Sequence, residues 1–165
     1  MLKHSGLLFF SILLAGFSYA QYDTTAPYLK TKLLPDFRLL TIDSIEFNQT
    51  VLDETKSTIV MLFNPECDHC QQQLNLLLSM PLVTETAQII LSSNETMVKN
   101  RIFYEKNKLD KYPFIHLGKD FKYFFETFYQ PRTIPVLAFY NPQKQLTLFN
   151  QGNVKKKQIE QGLQQ

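Results

Sequence analysis

Apolar residues fall in short blocks separated by Pro, Asn and Asp, and the spacing inside each block distinguishes strands from helices. Phe37-Arg38-Leu39-Leu40-Thr41-Ile42 partly alternates and is rich in residues that suit a half-buried strand, with a turn at Asp43-Ser44. Thr58-Ile59-Val60-Met61-Leu62-Phe63 is continuously apolar and short, as in a strand covered by helices on both faces, and it stops at Asn64-Pro65. Leu74, Leu77 and Leu78 lie at helical spacing from Cys70, which predicts a helix to about Met80 stopped by Pro81, with Cys67 at or just before its start. Gln88-Ile89-Ile90-Leu91-Ser92 reads as a second parallel-type strand. Ser93-Asn94-Glu95 then offers caps for a helix through about Leu109, with Val98, Ile102 and Leu109 as its buried stripe.

Pro113 to Leu117 predicts a further short strand. Beyond Asp120, the residues Phe121, Phe124, Phe125 and Phe128 keep the i, i+3, i+4, i+7 spacing of one helix face and read as core. Ile134 to Tyr140 and Gln145 to Phe149, joined by Asn141-Pro142-Gln143-Lys144, predict an antiparallel hairpin. Val154 to Gln165 predicts a closing helix that frays at its Gln-rich end. The sum is an α/β fold, a mixed central sheet flanked by helices.

The first twenty residues follow another pattern. Lys3 and His4 precede an apolar run from Leu7 to Leu14, and Ser18 and Ala20 supply small residues: a secretory signal peptide cut after Ala20. The run is shorter than the roughly 20 apolar residues of a bilayer span, so no membrane span is expected after cleavage. No Cys follows it to carry a lipid. The expected organisation is a signal peptide over 1–20, a polar lead-in over 21–33 and one domain over 34–165. A composition of 44 % apolar residues with only 5 Gly excludes disordered and repeat architectures. The net charge of +2 and the single basic run Lys155-Lys156-Lys157 do not make the wide basic face that a nucleic acid requires. Export to a periplasm or extracellular space would put the chain where paired cysteines persist as disulfides.

That setting matters because the chain has 2 cysteines, Cys67 and Cys70, in Cys67-Asp68-His69-Cys70 between a buried strand and a helix. A thiolate at a helix start is stabilised by unpaired N–H groups and by the positive end of the macrodipole, which makes Cys67 the better nucleophile. Cys70, one turn inside, is placed to resolve a mixed disulfide on Cys67. His69 can stabilise the thiolate by charge or hydrogen bond, whereas Asp68 opposes it by like-charge repulsion. A purely structural bridge over so small a loop contributes only about 2 kcal/mol on the entropic picture. A metal site built from Cys67, Cys70, His69 and His116 is the sharper rival, but His69 lies between the thiols and is poorly placed to converge with both. No metal and no cofactor are therefore expected.

Three separated features resemble the thioredoxin superfamily, and within it the exported TlpA and ResA type of redoxin. Leu34-Pro35-Asp36-Phe37-Arg38-Leu39 is similar to that type's opening strand. Phe63-Asn64-Pro65-Glu66-Cys67-Asp68-His69-Cys70 sits where its active-site motif does, and Thr133-Ile134-Pro135-Val136 resembles its cis-proline loop. The resemblance spans about Leu34 to Gly152 and implies a thioredoxin-like fold with an N-terminal strand extension. It also implies a cis bond before Pro135, and substrate docking on Thr133, Ile134 and Pro135. The implied function is thiol-disulfide exchange on protein disulfides outside the cytoplasm, with protein thiols and a further redox partner as its partners.

The departures are specific. The chain has 0 Trp and places Pro65-Glu66 where members usually carry Trp before the first cysteine. The acids used as proton relays are replaced by Met61 and Gln73, which leaves Glu66, Asp68 or His69 as substitutes or implies a slower enzyme. Two alternatives stay beside the oxidoreductase: a binding or metal-handling module on the same fold, and a peroxiredoxin-like peroxidase. The latter lacks a Thr or Ser within Asn64-Pro65-Glu66.

Overall fold

The computed structural model describes residues 26–164. The expected signal peptide and the first part of the lead-in lie outside the described residues. The strands are β1 (Arg38–Leu40), β2 (Glu46–Asn48), β3 (Ser57–Leu62), β4 (Ala87–Ser93), β5 (Ile115–Lys119), β6 (Val136–Tyr140) and β7 (Leu146–Gln151). The helices are α1 (Pro27–Thr31), α2 (Asp68–Leu78), α3 (Pro81–Thr86), α4 (Met97–Lys106), α5 (Phe124–Tyr129) and α6 (Lys156–Leu163). All seven strands form one sheet in the order β2-β1-β5-β4-β3-β6-β7.

The continuous apolar runs occupy the middle of that sheet. β3 pairs in parallel with β4 and antiparallel with β6, and every residue of β3 and β4 is buried. Because side chains alternate across a strand, Ile59 and Met61 enter one core with Leu74 and Leu77 of α2, Phe103 of α4 and Ile159 of α6. Val60 and Leu62 enter the other, with Tyr28 of α1 and Phe125 and Phe128 of α5. Each large apolar side chain taken fully out of water contributes about 1.5–3 kcal/mol, so the two-faced burial of β3 fixes its register and its end. On the second face the hydroxyls of Tyr129 and Tyr140 satisfy each other at 2.7 Å.

β2 completes the N-terminal extension that the resemblance implied, and the mixed sheet, the hairpin β6-β7, the closing helix α6 and strand β1 agree with the pattern. Four local expectations do not. Residues 26–33 contain the short helix α1 with buried Tyr28, where an irregular lead-in was expected, because Tyr28 stacks on Phe149 at 4.1 Å. α2 ends at Leu78, near the expected Met80, but Pro81 also opens a helix that was not expected, occupying the first turn of α3, where its missing N–H costs nothing. Phe121 precedes α5 rather than joining its face, because the Asp120 carboxylate accepts the Phe124 and Phe125 N–H groups and starts the helix there. Val98 and Ile102 are exposed, at 68 % and 58 %. α4 begins after Thr96, whose hydroxyl accepts the Lys99 N–H, and it turns Asn100 and Phe103 inward, with the Phe103 ring 4.6 Å from Phe63.

β1 and β2 lie close over β5 at Gly118, where an added Cβ would sit 2.6 Å from the Leu39 Cβ and 2.7 Å from the Phe47 ring. Leu39 cannot withdraw freely, since it is fully buried. Gly118→Ala is therefore expected to destabilise the fold by about 2 kcal/mol, the cost of overpacking a filled site. Urea denaturation followed by circular dichroism measures it, and an unchanged midpoint would show that the extension is not packed as described.

Candidate functional site

β3 ends at Leu62, and the chain turns through Asn64-Pro65-Glu66 into α2 at the carboxyl edge of the parallel strands. Asn64 holds that turn from three atoms. Its carbonyl accepts the Cys67 N–H at 3.0 Å, its Oδ1 accepts the Glu66 N–H at 2.8 Å, and its Nδ2 donates to Glu95 Oε1 at 2.8 Å. Lys99 Nζ adds ion pairs to Glu66 at 2.6 Å and Glu95 at 3.2 Å. The hydrogen bond to Lys99 holds the Glu95 carboxyl below its ordinary value, and Glu66, then Glu95, raise that of Lys99.

Cys67 is the N-cap of α2, with extended backbone, and its sulfur accepts the Cys70 N–H at 3.2 Å. A thiol sulfur thus takes the place that Ser, Thr or Asp oxygen ordinarily fills at a helix start. Both cysteines are free, Cys67 partly accessible and Cys70 buried. Burial first, and the hydrogen bond to Cys67 second, push the Cys70 thiol up to about 12. Asp68 and His69 are exposed on the first turn, and their side chains form no hydrogen bond or ion pair among the described residues. The His69 carbonyl accepts Asn153 Nδ2 at 3.2 Å.

Gln73, three residues beyond Cys70 on α2, is wholly buried. Its Oε1 accepts the Val154 N–H at 2.8 Å, while its Nε2 has no partner among the described residues. Together with the Asn153 bond, this ties α2 to the segment between β7 and α6. An amide meets the geometric demand of that tie but offers no exchangeable charge.

The Ile134–Pro135 peptide bond is cis. Pro135 leads into β6, whose Val136 is paired with Leu62, so this loop and the turn before Cys67 arrive at the same end of neighbouring strands. Pro135 is buried and its carbonyl accepts the Gly152 N–H at 2.7 Å, whereas Thr133 and Ile134 are exposed. Ile134, Phe63, Asn64, Glu95 and Glu126 line a cleft of about 320 Å³ on that side. A second cleft of about 270 Å³ contains Cys67 itself, Pro65, Ile102 and Phe103.

The expected site residues Glu66, Cys67, Asp68, His69 and Cys70 are thus gathered at one helix tip, with Thr133, Ile134 and Pro135 at the same end of the sheet. His116 is elsewhere: it lies on β5, lines a cleft with Val51 and Phe114, and burial holds its imidazole below the ordinary value. Among the described residues no three of His, Cys, Asp and Glu are grouped so as to hold a metal ion. Sequence reasoning missed Asn64, Glu95, Lys99 and Asn153. An Asn before Pro is a turn signal and could have singled out Asn64. The other three carry no local signal, because their partners are distant in the chain.

The buried thiol gives stability a sign. An unfolded cysteine ionises near ~8.5, so between that pH and about 12 the reduced folded chain retains a proton that the unfolded chain has lost. The contribution is complete below ~8.5 and lost as pH rises. The urea midpoint of the reduced protein should fall more steeply from about pH 8 to 9.5 than that of Cys70→Ser. Parallel curves would remove the buried thiol as the cause. A second expectation concerns Gln73: Gln73→Glu places a proton acceptor on the Cys70 face of α2. It should speed resolution of a Cys67 mixed disulfide at neutral pH by about a hundredfold, the lower range for a positioned base. Stopped-flow release of the bound thiol reads this, and an unchanged rate would show that deprotonation of Cys70 does not limit the step.

No family model and no curated protein matches the chain in sequence. Solved structures do match it in shape. StoA from Bacillus subtilis superposes with a TM-score of 0.58 at 16 % identity, over 78 % of this chain and 96 % of that one. A secreted Mycobacterium tuberculosis disulfide oxidoreductase homologous to E. coli DsbE gives 0.59 at 16 % identity, over 76 % and 92 %. The exposed lipoprotein thioredoxin Etrx1 from Streptococcus pneumoniae gives 0.56 at 18 % identity, over 78 % and 98 %. With β1-β2 as its N-terminal extension and the Cys67–Cys70 pair at the tip of α2, the chain has the thioredoxin-like fold.

Proposed function

We propose that the chain is a thiol-disulfide oxidoreductase that works on protein disulfides after export, through Cys67 and Cys70. The observation that carries this reading is the hydrogen bond from the Cys70 amide to an accessible Cys67 sulfur at a helix start, with a second, buried thiol one turn behind. The accessible sulfur is placed to attack, and the attacking form of a cysteine is its thiolate.

Exchange proceeds in two balanced steps. The Cys67 thiolate attacks one sulfur of a substrate disulfide, forming a mixed disulfide and releasing the other sulfur as thiolate. Cys70 then loses its proton to that thiolate or to water and attacks Cys67. The Cys67–Cys70 disulfide forms and the second substrate sulfur leaves as a thiolate, which takes a proton from water. Two electrons pass from the dithiol to the substrate, so no cofactor is required, and a partner dithiol restores the reduced form. Burial disfavours ionisation of Cys70, so the accessible Cys67 is the first of the two thiols to attack.

His69 and Asp68 stand exposed on the first turn beside Cys67, and the ion pair of Glu66 with Lys99 directs that carboxylate away from the role of free base. Thr133 and Ile134 offer backbone groups to an extended substrate beside buried Pro135. Export rests on the N-terminal signal pattern. It is supported by the description of two structural neighbours as a secreted oxidoreductase and an exposed lipoprotein. Among the described residues no helix is long and apolar enough to cross a membrane.

Insulin reduction driven by dithiothreitol tests the assignment. The protein lacking residues 1–20 should accelerate precipitation of the insulin B chain. Cys67→Ser should abolish that acceleration, and Cys70→Ser should accumulate a mixed disulfide detectable by mass. Activity that survives Cys67→Ser overturns the reading.

A further inference from the structure

α4 carries more apolar surface than its own core uses. Phe103 and Asn100 face inward, yet Val98 and Ile102, one turn apart on the same side, stand in solvent at 68 % and 58 % exposure. Single exposed apolar residues are ordinary on any surface. This pair is distinguished by its place, because Ile102 shares one cleft with Cys67, together with Pro65, Phe103, Lys99 and Lys106.

The charges of the cleft are unequally engaged. Lys99 is consumed by Glu66 and Glu95, whereas Lys106, one turn past Ile102 on α4, is exposed and has no ion pair among the described residues. The wall of α4 therefore presents an apolar patch followed by a cation with no ion pair among the described residues, and the Asp68 carboxylate lines the same cleft from the α2 side. A polypeptide whose cysteine is bonded to Cys67 has one flank at this cleft, because Cys67 itself lines it. An extended chain advances about 3.3 Å per residue, so side chains within a few positions of its cysteine reach α4.

Resting on the oxidoreductase reading, we infer that the α4 face of the Cys67 cleft selects substrates. It recognises an extended polypeptide that lays an apolar side chain on Ile102 and Val98 and directs a carboxylate to Lys106. Burying the Ile102 side chain against a substrate apolar group contributes to the transition state of attack, where the sulfurs are held in line. A small disulfide without a flanking chain gains nothing from it. Lys106 acts at the rim, where charge changes rate modestly and in a salt-dependent way.

The test uses synthetic peptides whose single cysteine is activated as a 2-pyridyl disulfide. In each reaction the Cys67 thiolate forms a disulfide with the peptide sulfur and pyridine-2-thione departs, giving a direct absorbance readout. Two series place Leu or Ser, and Glu or Lys, at positions flanking the cysteine on either side. In the unsubstituted protein the best Leu peptide should react about tenfold faster than its Ser counterpart, the discrimination an apolar contact supplies. That ratio should collapse towards one in Ile102→Ser. Lys106→Gln should remove a preference of about threefold for Glu over Lys and its salt dependence. Ile102 and Lys106 are exposed, so neither variant threatens folding.

Dipyridyl disulfide, which has no peptide, separates the two levels of interpretation. It should react equally with the unsubstituted protein and with both variants. Equal rates for Leu and Ser peptides, or a Leu preference that persists in Ile102→Ser, overturn the α4 face while leaving the oxidoreductase intact. Dipyridyl disulfide reacting no faster than with Cys67→Ser overturns both.

Discussion

A hydrogen bond from the Cys70 amide to the Cys67 sulfur requires a helix to begin at Cys67, and that start is set by the strand before it. β3 is buried on both faces, so its register cannot slip without moving a whole set of side chains into the wrong core. Its end at Leu62 fixes where Asn64 can bridge to Glu95, and the Asn64 carbonyl then holds the Cys67 N–H. The placement of one sulfur atom is thereby coupled to the packing of the central sheet.

The two thiols differ by environment and not by chemistry. One turn of helix carries Cys70 from the accessible tip into the core that contains Leu74 and Met61, and desolvation opposes its ionisation. Gln73 extends the same logic. Its Oε1 satisfies the Val154 N–H and so joins α2 to the segment before α6, but it places no charge beneath the dithiol. The segment is held firmly, while an amide stands at that position instead of a carboxylate.

Around this centre the walls have opposite character. Towards β6 the cis bond before Pro135 brings Ile134 to a cleft shared with Glu95 and Glu126. Burial, and the Asp120 charge beside it, hold the Glu126 carboxyl above its ordinary value. Towards α4 the wall places Ile102 and Phe103 between the ion-paired Lys99 and the exposed Lys106. A substrate chain crossing Cys67 would meet a different surface on each side, which gives the cleft a direction.

The sequence by itself determined what depends on neighbours along the chain. The apolar runs of β3, β4 and β6, the turn at Asn141-Pro142, and the position of Cys67 at a helix start follow from local pattern, since strand burial and helix initiation are read from contiguous residues. Only the tertiary structure decided the rest. Val98 and Ile102 have the spacing of a buried stripe, yet Phe103 claims the inward position because its ring packs, tilted, against Phe63, a residue 40 positions away in the chain. Pro81 looks like a stop but opens α3, and Tyr28 looks like part of a tether but docks on Phe149. Lys99 and Asn153 reach the site from α4 and from the segment before α6. Periodicity marks which side of an element is apolar, but which of two apolar sides meets the core depends on the competing volumes and partners that distant segments bring to it.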